Sequence, residues 1–352
     1  MIDFRYHLVS LVAVFLALAV GIVLGAGPLA QPIGDTLTGQ VDKLREDRNA
    51  LSNQLTETKA KLATSDKVGE QFAGRIFNNV LSGVQVALVV LPGADGEDVK
   101  NVSAKLGQAG GAVSAQVNLR PEFFSADKKA YREALSGQIT QYLDDPTSAT
   151  TPETTLAAAV GQLVFVGQNE ALTGILTVAD TPLLQVTAPA EAPARIAVIV
   201  GPRTSKATPS QSEPTDKTKP AATPESAYLE FARTLNSFAG GAVVFGAAAT
   251  TTDLVSVIRV DPNPVSTVDG IGSESALLTL PFALVATING TVGAWGSGQG
   301  ASALVPPLNL TVNPAEPPAQ PSQPSQPAQP APPAPAAPGA SQPPAGQAPP
   351  AA

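Results

Sequence analysis

The stretch VQVALVVLPG, residues 84–93, decides how the rest of the chain is read. Its first eight residues form an apolar run interrupted only by Gln85, rich in valine and closed at once by Pro92 and Gly93. A short, β-branched, nearly continuous apolar run between turn signals fits a strand buried on both faces of a parallel sheet. Behind it, DVKNVSAKLGQAGG (98–111) has helical spacing, and AVSAQVNL (112–119) reads as the next strand. The same order of events starts again at RIAVIV (195–200): a Gly-Pro turn, a helix in YLEFARTLNSFAGG (228–241), and a strand in AVVFG (242–246). Both units carry a Gly-Gly-Ala-Val landmark, at 110–113 and 240–243, where glycine suits the C-cap of the preceding helix.

The two units differ in length. Gly93 to Gly110 spans 17 residues and Gly201 to Gly240 spans 39, and the excess of 22 matches RTSKATPSQSEPTDKTKPAATP at 203–224. That stretch is Pro, Ser, Thr and charge without apolar periodicity, and reads as a disordered insertion. Between the units, 127–143 and 151–163 have helical patterns, while LVFVG (163–167) and TPLLQVT (181–187) are expected to be short strands. After the second unit, PVSTVDGIGSESALLTLPFALVATI (264–288) gives a short strand ending near Val268 and a helix starting near Ser273. The expected class is α/β, with a mainly parallel, doubly wound sheet over residues 80–300.

Toward the N-terminus, Leu8 to Ala26 is an uncharged run of 19 residues. As a helix it is about 28 Å long, close to the hydrocarbon thickness of a bilayer. A cleavable signal has a shorter apolar centre, although LGAGPLA (24–30) would pass for a cleavage site. The length favours a retained anchor, assigned to residues 1–30. Arg5 precedes the run and residues 27–42 hold no Lys or Arg, so the positive-inside tendency places the N-terminus in the cytoplasm and the bulk of the chain outside it. Every fourth residue, Ala13, Ala17, Gly21 and Gly25, is small. That spacing lets two membrane helices approach closely.

Beyond the turn signals Gly27, Pro28 and Pro32, the positions Leu37, Val41, Leu44, Arg48, Leu51, Leu55, Thr58 and Leu62 alternate in steps of four and three. Six of the eight are apolar, and Asp42, Lys43, Glu46, Asp47, Glu57, Lys59 and Lys61 flank them. This is a heptad seam, predicting a coiled coil over 35–66. An amphipathic helix lying on its own domain is the alternative, but it would show a wider apolar face. Anchor and seam together predict a parallel homodimer, whose interface holds the four small residues with Leu37, Val41, Leu44, Leu51, Leu55 and Leu62. At the other end, residues 311–352 are Pro, Ala, Gln and Ser with one charge, Glu316, and read as a disordered tail. Fully extended it would reach about 130 Å.

Chemistry in an open α/β sheet belongs at the carboxyl ends of the strands. LPGADGED (91–98) and IVGPRTSK (199–206) lie there, yet neither has phosphate-loop or dinucleotide spacing. Ser266, Thr267, Asp269 and Ser273 converge where a strand meets a helix N-terminus, which can hold an anion, though Asp and Ser are also ordinary caps. The chain has no Cys, one Met (Met1) and one His (His7). Ser-His, Cys-His and histidine-zinc catalysis therefore lack their residues beyond the anchor, and a non-enzyme without cofactor is expected. A net charge of −8 with no basic cluster speaks against nucleic acid as a partner.

The opening block MIDFRYHLVSLVAVFLALAVGIVLGAGPL, the heptads behind it, and VSTVDGIGSESA together resemble the actinobacterial MctB-like family of copper transport outer-membrane proteins. The resemblance covers roughly residues 1–300. It implies copper efflux or homeostasis and a cell-envelope location, with an outer-membrane label. Some relatives resemble coiled-coil components of envelope assembly or cell division (SteB-like), which implies a scaffold instead. Copper(I) prefers thiolate and thioether and copper(II) imidazole, so copper held directly by the exported part would have only carboxylates or backbone. A membrane β-barrel is also not expected, because VALVVL and IAVIV are continuously apolar where barrel strands alternate.

Overall fold

The structure is a computed structural model that describes residues 4–26, 30–76, 79–146, 149–167, 169–177, 181–190, 192–204, 224–262 and 264–307, with 312 and 346. The expected tail and most of the expected insertion lie outside these residues, as does the side chain of Leu37. Two helices come first, α1 (Phe4–Ala26) and α2 (Ala30–Ile76). Pro32 does not stop α2 because it lies in the first helical turn, where its missing N–H would have no intrahelical partner. The helix then runs to Ile76, past the 35–66 span of the heptads. Beyond Leu62 no proline interrupts it, and its last turns lie against the globular part.

The α/β part proceeds through β1 (Gln85–Val90), α3 (Gly96–Gln108), β2 (Ala112–Leu119), α4 (Lys129–Ile139), α5 (Pro152–Gly161), α6 (Glu170–Leu176) and β3 (Leu184–Ala188). It continues through β4 (Ile196–Val200), α7 (Pro224–Asn236), β5 (Ala242–Gly246), α8 (Leu254–Arg259), β6 (Ser266–Asp269), α9 (Glu274–Ile288) and β7 (Ala294–Trp295). The strands form one seven-stranded sheet in the order β3-β2-β1-β4-β5-β6-β7. All neighbours are parallel except β2 and β3. β1 leads outward to β2 on one side while β4 pairs on its other side, so the sheet is doubly wound with its switch point between β1 and β4.

The period of two in the strands sorts the core into two layers. Val86, Leu88 and Val90 of β1 point with Ile196, Val198 and Val200 of β4 toward α3 and α9. Ala87 and Val89 point with Ala197 and Ile199 toward α4, α5, α7 and α8. β1, β4, β5 and β6 are thus covered on both faces, as the apolar runs of β1, β4 and β5 predict, while β6 buries the polar sequence STVD. β2 instead alternates, because only one face of this flanking strand meets a helix layer. The repeated landmark has a shared cause: Gly110 and Gly240 take φ of 83° and 85°, where a side chain is strained. A Cβ on Gly240 would also stand 1.7 Å from the Arg195 carbonyl oxygen.

LVFVG is a correction. Residues Gln162–Val166 continue α5 as a wide helical turn closed by the Gly167 amide donating to the Gln162 carbonyl at 3.2 Å, not as a strand. Leu163, Val164 and Phe165 are buried in the layer of α5 and α7, with Phe165 stacked on Phe238 at 5.1 Å. A buried helix is apolar all round, so a five-residue sample of one has no period that separates it from a strand. TPLLQVT does yield a strand, β3, and it is the antiparallel one. The short elements α6, α8 and β7 carry too few residues to show a period.

Candidate functional sites: switch point, buried arginine knot and stalk

The switch point is where an open α/β sheet would take a ligand, and here an ion pair crosses between its two loops beside a small cavity of about 130 Å³ lined by Leu91, Pro202 and Tyr228. Asp95 caps α3, its carboxylate accepting from the Glu97 amide at 2.8 Å. Glu97 and Asp98 follow in the first turn, adding negative charge at the end of the helix that would otherwise attract an anion. Asp98 is buried and takes a two-pronged bond from Arg203 of the loop after β4, Nε to Oδ2 at 2.7 Å and Nη2 to Oδ1 at 2.8 Å. Hydrogen bonding to Asp98, then its charge, raises the Arg203 pKa further above the ordinary guanidinium value. The two loops expected to flank a ligand are thus tied to each other.

The four polar residues expected near the β6–α9 turn are brought together, but they face different ways. Ser266 is buried toward α9, accepting from the Thr287 hydroxyl at 2.8 Å. Thr267 and Asp269 point to the opposite face, where Arg259 at the end of α8 reaches both: Nε to Thr267 Oγ1 at 2.9 Å and Nη1 to Asp269 Oδ2 at 2.7 Å. The two charged side chains are 2% and 3% exposed. Arg259 also donates to the carbonyls of Gln299 and Trp295, each at 2.9 Å. Asp269 Oδ1 in turn accepts from the Ser297 and Gly298 amides, both at 3.0 Å. Burial lowers the Arg259 pKa from its ordinary value, with Asp269 opposing that shift. Ser273 caps α9, its Oγ accepting from the Ala276 amide at 3.3 Å and donating to the Gly270 carbonyl at 2.7 Å.

Two partners in this knot escape sequence reasoning. Arg259 ends a helix too short to show a period, and the WGSGQG stretch (295–300) contributes backbone amides and carbonyls but no charged side chain. Its glycines are the available signal: a Cβ on Gly296 would stand 2.3 Å from the Asp269 carboxylate, so the loop closes on that carboxylate only without a side chain.

An open cleft of about 780 Å³ lies between α3 and the uncovered face of β2 and β3. Lys100, Arg120, Gln116, Asn118, Gln185 and Thr187 give it a polar lining. Among the described residues no group of three or more His, Cys, Asp or Glu could hold a metal ion.

The anchor and stalk present the opposite situation. Phe4–Gly25 is long and apolar enough to cross a membrane, and none of it is covered by the rest of the chain. Ala13, Ala17, Gly21 and Gly25 lie along α1, and a Cβ on either glycine would meet nothing within 4 Å. On α2 the side chains of Val41, Leu44, Leu51, Leu55 and Leu62 are 37–67% exposed. Their flanks are held by pairs within the helix, Arg45 with Asp42 at 3.2 Å and Lys61 with Glu57 at 2.7 Å. Among the described residues, α2 approaches the domain near its C-terminal end: a Cβ on Gly69 would stand 3.0 Å from Leu278 of α9.

A family model described as Copper transport outer membrane protein, MctB, matches residues 1–306. The chain is 39% identical over 127 residues to proteins named Copper transporter MctB from Mycobacterium tuberculosis and Mycobacterium bovis, covering 36% of this chain and 40% of each relative. It is 38% identical over 134 residues to the protein of that name from Mycobacterium leprae, with the same coverage of 36% and 40%. The aligned stretch spans about two fifths of the length of these curated relatives.

Proposed function

The chain belongs to the MctB family, and on that premise we propose that it serves copper export or homeostasis as a membrane-anchored, non-enzymatic envelope protein. It does so as a homodimer that assembles with other envelope proteins and does not itself ligate copper. In this reading α1 crosses the membrane with its N-terminus in the cytoplasm, and α2 carries the α/β domain away from the bilayer. The observation that carries it is the uncovered apolar row on α2, a helix of 47 residues and about 70 Å that, among the described residues, meets its own domain near one end. An apolar stripe of that length is stable in water when a second helix covers it.

Copper enters as cargo. The described residues offer no cluster of ligating side chains, and the thiolate and thioether donors that copper(I) prefers are missing from the chain apart from Met1. Titration of the full-length protein in detergent with copper(I) and copper(II) should give dissociation constants weaker than about 1 μM. Tighter binding would overturn the non-ligating role. Deletion of the gene should raise copper sensitivity with cell shape unchanged.

The tie between the two switch-point loops favours a second reading, a scaffold for cell-wall assembly or division, since a domain that holds these loops together with its own ion pair still offers its outer surface to proteins. Altered morphology with unchanged copper tolerance on deletion would select it.

A further inference from the structure

We propose that Arg48 and Asp47 form a register lock between two copies of this chain, so that α2 pairs with a second copy in one alignment only. The proposal rests on the homodimer reading above and adds what sets its register. The steps of four and three put Val41, Arg48, Leu55 and Leu62 at the a positions of the heptad and Leu44, Leu51 and Thr58 at the d positions. The Arg48 side chain therefore stands in the middle of the apolar row. Both Arg48 and Asp47 are exposed, and among the described residues neither has an ion-pair partner within its own chain, whereas Asp42 and Arg45, one turn back, pair with each other.

In a parallel, in-register pair the a residue of one helix lies beside the g residue that directly precedes the facing a residue of the other. Asp47 is that g residue. Arg48 of each chain then meets the second copy's Asp47, giving two symmetric ion pairs at the only charged layer of the seam. Slipping the pair by one heptad would place Arg48 against Gln40 or Gln54 of the other copy, both neutral. Slipping by two heptads toward the C-terminus would place it against Lys61, a like charge. Each of these slipped alignments leaves a guanidinium in an apolar seam without a carboxylate, and a polar group at an a position fixes register on that basis. Antiparallel pairing would not place Asp47 beside Arg48 in this way, and two α1 anchors entering from one side of a membrane oppose it. A second complementary pair, Lys61 at g with Asp66 at the following e, stands in the same register.

The absence of cysteine makes the test direct, because an introduced thiol is the only one in the chain. Full-length Leu44→Cys in membranes should cross-link to a disulfide dimer under mild oxidation. Co-expressed Leu44→Cys and Leu51→Cys chains should form few mixed disulfides, since those require a slip of one heptad. Adding Arg48→Glu should cut the Leu44→Cys dimer at least about tenfold, because the introduced carboxylate and the facing Asp47 would repel across the seam. Adding Asp47→Arg to that variant should restore it to within about twofold. Arg48→Leu should keep the dimer and raise the mixed 44–51 disulfide. An Arg48→Glu chain that cross-links as well as the parent, or a double reversal that fails to restore it, would overturn the lock while leaving the dimer standing. Absence of any disulfide in the parent Leu44→Cys chain would remove the homodimer itself.

Discussion

The α/β domain and the stalk solve the same problem in opposite ways. In the domain, the buried carboxylates of the switch point and the knot find partners within the chain. Asp98 is held by Arg203, and Asp269 is surrounded by Arg259 and two loop amides. Both faces of the central strands are covered. On α2 the apolar row stays exposed, and Arg48 at its centre has no carboxylate within the chain among the described residues. Association is therefore to be sought first on the stalk, whose apolar row the described residues leave uncovered.

The largest expected effect separates the two regions. In the proposed dimer, Leu51→Ala with Leu55→Ala removes four leucine side chains from the seam, roughly 6 kcal/mol of lost burial at ~1.5 kcal/mol each. Cross-linking between stalks should disappear, while the urea midpoint of the domain, followed by Trp295 fluorescence, should not move. A shift in that midpoint would mean that the domain depends on the stalk, and the contrast would collapse.

The second effect lies inside the domain. Asp269→Ala leaves the Arg259 guanidinium buried without its carboxylate and releases the amides of Ser297 and Gly298. Breaking one partner of a buried pair costs about 3–5 kcal/mol. The midpoint should fall accordingly, with stalk cross-linking intact at a temperature where the domain remains folded. A loss below about 1 kcal/mol would mean that water reaches Arg259 and that the knot is not a closed one.

How much of this can be read from the sequence follows from the length and coverage of each element. β1, β4 and β5 are legible because both faces are buried and their runs are continuously apolar. The Gly-Gly-Ala-Val repeat is legible because a left-handed turn after a helix restricts residue choice at Gly110 and Gly240. LVFVG misleads because a single, mostly buried helical turn is too short to show a period. The convergence of Ser266, Thr267, Asp269 and Ser273 is legible as proximity, but their bonds are not. Their partners Arg259, Thr287 and the amides of 297–298 come from other segments, and sequence spacing carries no record of contacts 8 to 29 residues away.

The smallest effect tests whether the switch point is held as firmly as the knot. Arg203→Ala also breaks an ion pair with a buried carboxylate, yet the Arg203 side chain is 48% exposed where Arg259 is 2% exposed. Solvent beside Arg203 screens the pair, and water can take its place at Asp98 with only a small loss. The Asp95 cap of α3 does not depend on Arg203, since Asp95 bonds the Glu97 amide directly. The domain should therefore lose less than about 1 kcal/mol, measured by the same urea unfolding. A loss as large as that of Asp269→Ala would show that the tie between the β1 and β4 loops supports the whole sheet, and that Arg203 is as much a part of the fold as Arg259.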